Sequence, residues 1–174
     1  MATIKLVCLG DSLTEGYGIL PKDCWVNLLA NQLNIEIVNS GISGDTTGGM
    51  LSRFQRMVLD HEPTHVMIMG GTNDLYCGLP HNLILANILS ITRQARYHNI
   101  EPIIAIPTDV LTPEIDITIY QDALRDFATE DDQQLIDFSS KLSPDCFLED
   151  GLHPNEKGHI VMTKLVEGKL MNLL

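Results

Sequence analysis

The chain has 174 residues, enough to bury one sizeable hydrophobic core and read here as a single domain over 1–174. Eleven basic against 23 acidic residues give a formal net charge of -12, and Lys and Arg nowhere cluster, which argues against a nucleic-acid partner. Hydrophobic residues make up 44%, yet no apolar run reaches the about 18 residues needed to span a bilayer, so stable membrane association is not expected.

The start of the chain, Met1-Ala2-Thr3-Ile4-Lys5, has no basic segment leading into a long apolar stretch, and a cytoplasmic location is the expectation. Val- and Ile-rich runs at 4–9, 36–39, 65–69, 102–106 and 134–138 read as five strands. Between them lie helical spacings: Trp25, Leu28, Leu29 and Leu33; then Met50, Phe54, Met57 and Val58; then Ile84, Ile88, Ile91 and Ala95. Tyr120, Ala123, Leu124 and Phe127 continue the pattern, and Met162, Leu165, Val166 and Leu173 close it. Strands alternating with helices predict an α/β fold with a parallel sheet covered on both faces. Cys8, Cys24, Cys77 and Cys146 form no Cys-x-x-Cys pair and read as reduced thiols.

Ligands of such a sheet sit beyond the carboxyl ends of its strands, near the point where winding reverses. The polar, glycine-bearing loops 10–18, 41–49, 70–78 and 150–155 fall there. Ser12 follows the first strand, and Asp150-x-x-His153 lies near the other end of the chain. Serine is a poor nucleophile at neutral pH. It needs an imidazole to take its proton and a carboxylate to fix the tautomer, and these residues supply all three parts. Alone, Ser12 reads as a helix cap, and Asp11 as a carboxylate accepting loop N–H groups. In the second loop Asp45 or Thr46 is the expected cap. Asn73 in Gly70-Gly71-Thr72-Asn73-Asp74 is either a turn residue or an amide able to donate to an oxyanion. His61, His65, His81, His98 and His159 lack a carboxylate partner in sequence and read as surface or packing residues. No metal-ligand spacing or cofactor loop appears, so neither metal nor cofactor is expected.

Together the blocks Gly10-Asp11-Ser12-Leu13, Gly44, Gly71-x-Asn73-Asp74 and Asp150-x-x-His153, in this order, resemble the GDSL or SGNH hydrolases, a family of esterases, lipases and acylhydrolases. The resemblance spans almost the whole chain and implies a three-layer flavodoxin-like fold with strand order 2-1-3-4-5. It implies Ser12 as nucleophile, His153 as base and Asp150 as its orienter. The N–H groups of Ser12 and Gly44 and the side chain of Asn73 would form the oxyanion hole. The expected substrate is a small ester of a short-to-medium acyl group, with water as co-substrate. The same triad could serve carbohydrate acetyl esters, lysophospholipids or thioesters. A non-catalytic flavodoxin-like binding module is the competing class, but it wants a nucleotide-binding glycine loop that residues 10–16 lack. A cysteine hydrolase using Cys77 has no Asp-x-x-His logic to recommend it. Position alone puts Leu13, Tyr17, Tyr76, Leu79, Asp109 and Leu111 at the rim of the cleft. Asp11, Glu15, Asp45, Asp74 and Glu149 flank it; where they face the cleft they should repel anions, and otherwise they cap loops.

Overall fold

The computed structural model describes residues 4–171. Five strands, β1 (Lys5–Gly10), β2 (Glu36–Gly41), β3 (His65–Met69), β4 (Glu101–Ile106) and β5 (Gln134–Asp137), pair in parallel in the order β2-β1-β3-β4-β5. The expected fold class and strand order are therefore observed, with strand ends displaced by one or two residues. Both faces of the sheet are covered, and the period-2 alternation of β1 divides the interior in two. Leu6 and Cys8 pack with Trp25 and Leu29 of α2 (Trp25–Leu33) and with Met162, Val166 and Leu170 of α8 (Glu156–Leu170). Val7 and Leu9 point the other way, toward Met50 of α3 (Thr47–Ser52) and Phe54 of α4 (Phe54–Met57). The same face meets Ile84, Ile88 and Ile91 of α6 (His81–Tyr97) and Tyr120 and Leu124 of α7 (Thr118–Glu130). Each fully buried aliphatic side chain stabilises the fold by about 1.5–3 kcal/mol, and the two cores clamp the sheet between them.

Two short helices stand where only loops were expected: α1 (Ser12–Glu15) after β1 and α5 (Thr72–Tyr76) after β3. Neither carries an apolar stripe long enough to signal a helix. The single stripe expected through Met50, Phe54, Met57 and Val58 is interrupted at Arg53, whose backbone (φ -101°, ψ 7°) separates α3 from α4. The interruption has a local cause, since the Arg53 guanidinium turns back to the carbonyls of Gly10 and Ser40 at the ends of β1 and β2. Leu173, placed in the last helical stripe, lies outside the described residues. All four cysteines are free thiols; Cys8, Cys24 and Cys146 are buried and Cys77 is exposed.

Because β1 has β2 on one side and β3 on the other, the winding reverses at its carboxyl end. Ser12 stands at that point.

Candidate active site

Ser12 is the first residue of α1, a single turn fixed at both ends. The Asp11 carboxylate caps it by accepting the Leu13 N–H at 2.9 Å, and Gly16 in the left-handed region (φ 91°) ends it. The Ser12 carbonyl accepts from the N–H groups of Gly16 (3.0 Å) and Tyr17 (3.1 Å). Glycine is required at position 10, where a Cβ would lie 2.1 Å from the Thr14 hydroxyl. Ser12 is 8% exposed, so little of it besides one face is open to solvent.

His153, 141 residues away, reaches the Ser12 hydroxyl through Nε2 at 2.9 Å. Its Nδ1 lies 2.7 Å from Oδ2 of Asp150. That pairing assigns the Nδ1–H tautomer, which leaves the Nε2 lone pair to accept from the serine hydroxyl. The second oxygen of Asp150 accepts the N–H groups of Leu152 and His153, each at 2.9 Å. Partial burial pushes the Asp150 carboxyl up, but these N–H groups and the imidazole outweigh it and hold the carboxyl below its usual range. Gly151 turns this loop with φ 65°, and its carbonyl accepts the Leu111 N–H at 2.8 Å.

Across the switch point, Thr46 caps α3 by accepting the Gly49 N–H, one of the two caps expected there. Gly44 adopts φ 80° with open space where a side chain would stand. The N–H groups of Ser12 and Gly44 have no acceptor among the described residues. The Asn73 amide donates to the Asp45 carbonyl at 2.9 Å, which fixes its plane and leaves its second N–H free of that bond. Asp45 is held by Arg53 at 2.6 Å, and Arg53 also reaches Ser40 and Gly10, so one guanidinium ties the second loop to β1 and β2. Buried Asp74 accepts the N–H (2.9 Å) and hydroxyl (2.6 Å) of Thr47, joining α5 to α3. Sequence reading missed Arg53. Nothing in the sequence separates it from Arg56, the second arginine of the same stretch.

The carboxylates flanking the site mostly cap and pair. Asp11 is buried, and desolvation pushes its carboxyl up to about 7, opposed by the Leu13 N–H and reinforced by Asp45 and Asp74. Glu15 accepts from the N–H and hydroxyl of Ser43. Four of the five acidic residues expected to flank the cleft thus accept hydrogen bonds from neighbouring residues, with Asp11 and Asp74 buried and Glu15 exposed, and Glu149 is exposed. Of the two alternatives left open for these residues, capping and pairing within the loops is the one observed for these four.

The six rim residues divide. Tyr17, 53% exposed, stacks on the His153 ring with centroids 4.4 Å apart and planes tilted by 40°. Tyr76 and Leu111 are exposed, with the Tyr76 hydroxyl 3.5 Å from Thr112 and the Leu111 backbone on Gly151. Leu79 is half-buried against the α6 side of the core. Leu13 is not at a rim: 2% exposed, it packs in the core beneath α2, because the helical turn at Ser12 directs the next side chain inward. Nor is the Asp109 carboxylate free, since it accepts from Gln121 (3.1 Å) and the Ser140 N–H (2.9 Å). Asp109 lines a cavity of about 470 Å³ with Val110, Ile115, Gln121 and Ser140, and none of Ser12, Asp150 and His153 borders it.

The model of the GDSL-like lipase/acylhydrolase family matches residues 8–161, which takes in every block above. The chain belongs to this family. Among its relatives, an arylesterase from Vibrio mimicus is 29% identical over 99% of this chain and 91% of its own length. The thioesterase 1/protease 1/lysophospholipase L1 of Escherichia coli K12 is 30% identical over 88% of this chain and 77% of its own. A solved G-D-S-L lipolytic protein from Desulfitobacterium hafniense superposes with a TM-score of 0.89 at 25% identity, covering 96% of this chain and 99% of its own. This GDSL protein is an ester-hydrolysing serine hydrolase. No helix among the described residues is long and apolar enough to cross a membrane.

Proposed function

We propose that Ser12 attacks the carbonyl carbon of a small carboxylic ester while His153 Nε2 takes its proton, and that Asp150 holds the imidazole and stabilises its cation. The developing oxyanion is met by the N–H groups of Ser12 and Gly44 and by the Asn73 amide. His153 then gives its proton to the leaving alcohol, and an acyl-enzyme remains on Ser12 Oγ. Water repeats the sequence, with His153 again as base, and releases the acid. One observation carries this reading: a serine hydroxyl, both imidazole nitrogens and a carboxylate in line at 2.9 and 2.7 Å across 141 residues of sequence.

The acyl group is short to medium in length. Support comes from exposed Leu111, whose N–H donates to Gly151 of the base loop, and from exposed Tyr76 against Thr112, which offer a small apolar surface there. The names of the relatives include both esterase and thioesterase, and the same triad would serve either bond. The protein acts as one cytoplasmic domain over 1–174 without a nucleic-acid partner or stable membrane association.

The test is covalent labelling with a serine-directed alkyl phosphonate, followed by peptide mass mapping. Label should fall on Ser12 alone, and Ser12→Ala should lose both label and turnover, the latter by a factor on the order of 10⁶ in kcat, while keeping its circular dichroism spectrum. Label that persists in the folded Ser12→Ala protein would overturn the assignment.

A further inference from the structure

We infer that Tyr17 selects the alcohol half of the ester, favouring leaving groups that carry an aromatic ring. This deepens the serine-esterase reading and rests on it. The leaving oxygen must come within hydrogen-bond reach of His153 Nε2, because that atom delivers its proton. Whatever is attached to the oxygen therefore lies beside the imidazole, on the side away from Asp150. Tyr17 occupies the neighbourhood of that ring, 4.4 Å from it between centroids, with more than half its own surface open to solvent. Of the exposed aromatic side chains it alone is in ring contact with His153.

Its backbone is held in place, as a binding wall requires. The Tyr17 N–H donates to the carbonyl of Ser12 at 3.1 Å, so the wall is fixed to the backbone of the nucleophile itself. Left-handed glycines flank it, Gly16 at φ 91° and Gly18 at φ 82°. Gly18 lies so close to Leu148 that a Cβ there would fall 2.5 Å from its methyl carbon. Leu148 in turn accepts at its carbonyl the Gly151 N–H (3.0 Å) and donates its own N–H to the His153 carbonyl (2.8 Å). Tyr17 and the base are thereby braced against each other. A second aromatic ring arriving with the substrate meets an exposed π-face already oriented, and such pairs favour offset or tilted stacking over saturated rings of similar size.

Benzyl acetate and cyclohexylmethyl acetate share an acyl group and differ in whether the ring is aromatic. Their kcat/KM ratio, divided by the ratio of their hydroxide-catalysed rates, isolates recognition of the ring. The wild-type protein should prefer the benzyl ester by about two- to tenfold on this scale. Tyr17→Phe should keep the preference and Tyr17→Leu should bring the ratio close to one. Product inhibition of the wild-type protein supplies a reading that needs no variant: benzyl alcohol should inhibit more tightly than cyclohexylmethanol by a similar factor. A corrected wild-type ratio of one, or an unchanged ratio in Tyr17→Leu, overturns the inference and leaves the triad untouched. Failure of the triad reading looks different, because Ser12→Ala would then turn over both esters.

Discussion

The two halves of the proposed machinery are built in opposite ways. On the nucleophile side, Ser12 and the loops of Gly44 and Asn73 are held by contacts distant in sequence, with Arg53 bridging to Gly10 and Asp74 to Thr47. The base side is local: Asp150 folds back onto Leu152 and His153 within four residues, and its carboxylate remains exposed. The base can therefore be set by the chemistry of one loop, whereas the nucleophile and its oxyanion donors depend on the whole sheet edge being assembled. Damage to the first should remove catalysis without unfolding the protein. Damage to the second should do both.

Asp150→Asn breaks the local side with the largest effect. An amide at that position favours the wrong imidazole tautomer, and kcat should fall on the order of 10⁴-fold. Since the side chain is exposed and Asn can still accept the two backbone N–H groups, urea unfolding should shift by less than about 0.5 kcal/mol. A large loss of stability would show that this loop is not autonomous.

Arg53→Met attacks the other side. It strands the Asp45 carboxylate, which is mostly shielded from solvent, and removes the arginine donor from two strand-end carbonyls, of which Gly10 keeps the Ile42 N–H. Unfolding free energy should fall by about 3–5 kcal/mol. The activity of the folded fraction should fall too, through the Asp45 carbonyl that orients Asn73. Wild-type stability with normal kcat would remove Arg53 from the account.

The smallest effect concerns pH and two buried groups outside the proton relay. Burial pushes His159, whose Nδ1 accepts the Trp25 N–H at 3.1 Å, down to about 4. The unfolded chain binds that proton first as pH falls, so stability is full above about 6.5 and is lost as pH drops through about 4. Asp11, pushed up to about 7 chiefly by burial, works the other way: its contribution is full below about 3.8 and is lost as pH rises through 7. The two nearly cancel between pH 4 and 7. Asp11→Asn should then gain stability with rising pH across this window and His159→Gln should lose it, each by about 3–4 kcal/mol. Denaturant titrations at pH 4, 5.5 and 7 check both signs, and parallel curves for the two variants would refute the account.

The same division governs what the sequence makes legible. All five strands are evident from their β-branched runs, and Asp150-x-x-His153 is evident because three residues in a glycine-bearing loop suffice to bring carboxylate and ring together. Ser12 and Asn73 have bland readings as cap and turn residue, and only the order of the blocks raises them above those readings. Asp11 accepts a loop N–H as expected, and in doing so it takes the capping position that Ser12 alone suggested for itself. Arg53, the burial of Leu13 and the engagement of Asp109 are invisible in sequence, since Arg53 and Asp109 are placed by backbone groups 13 to 43 positions away and Leu13 by the direction of a single helical turn. His159 illustrates the limit well. It reads as a packing histidine, and it is one, but its partner Trp25 lies 134 residues earlier.

That bond has a consequence for how the protein is made. The strands β1, β2 and β3 and the turn that carries Ser12 all precede α8 in the chain by a wide margin, but the face of α2 that carries Trp25 is completed only when α8 arrives to pack against it. His153 emerges just ahead of that same helix. Until α8 packs, the chain holds a serine without its proposed base and a half-covered sheet, so assembly of the proposed relay and closure of the core around Trp25 are coupled in one folding step.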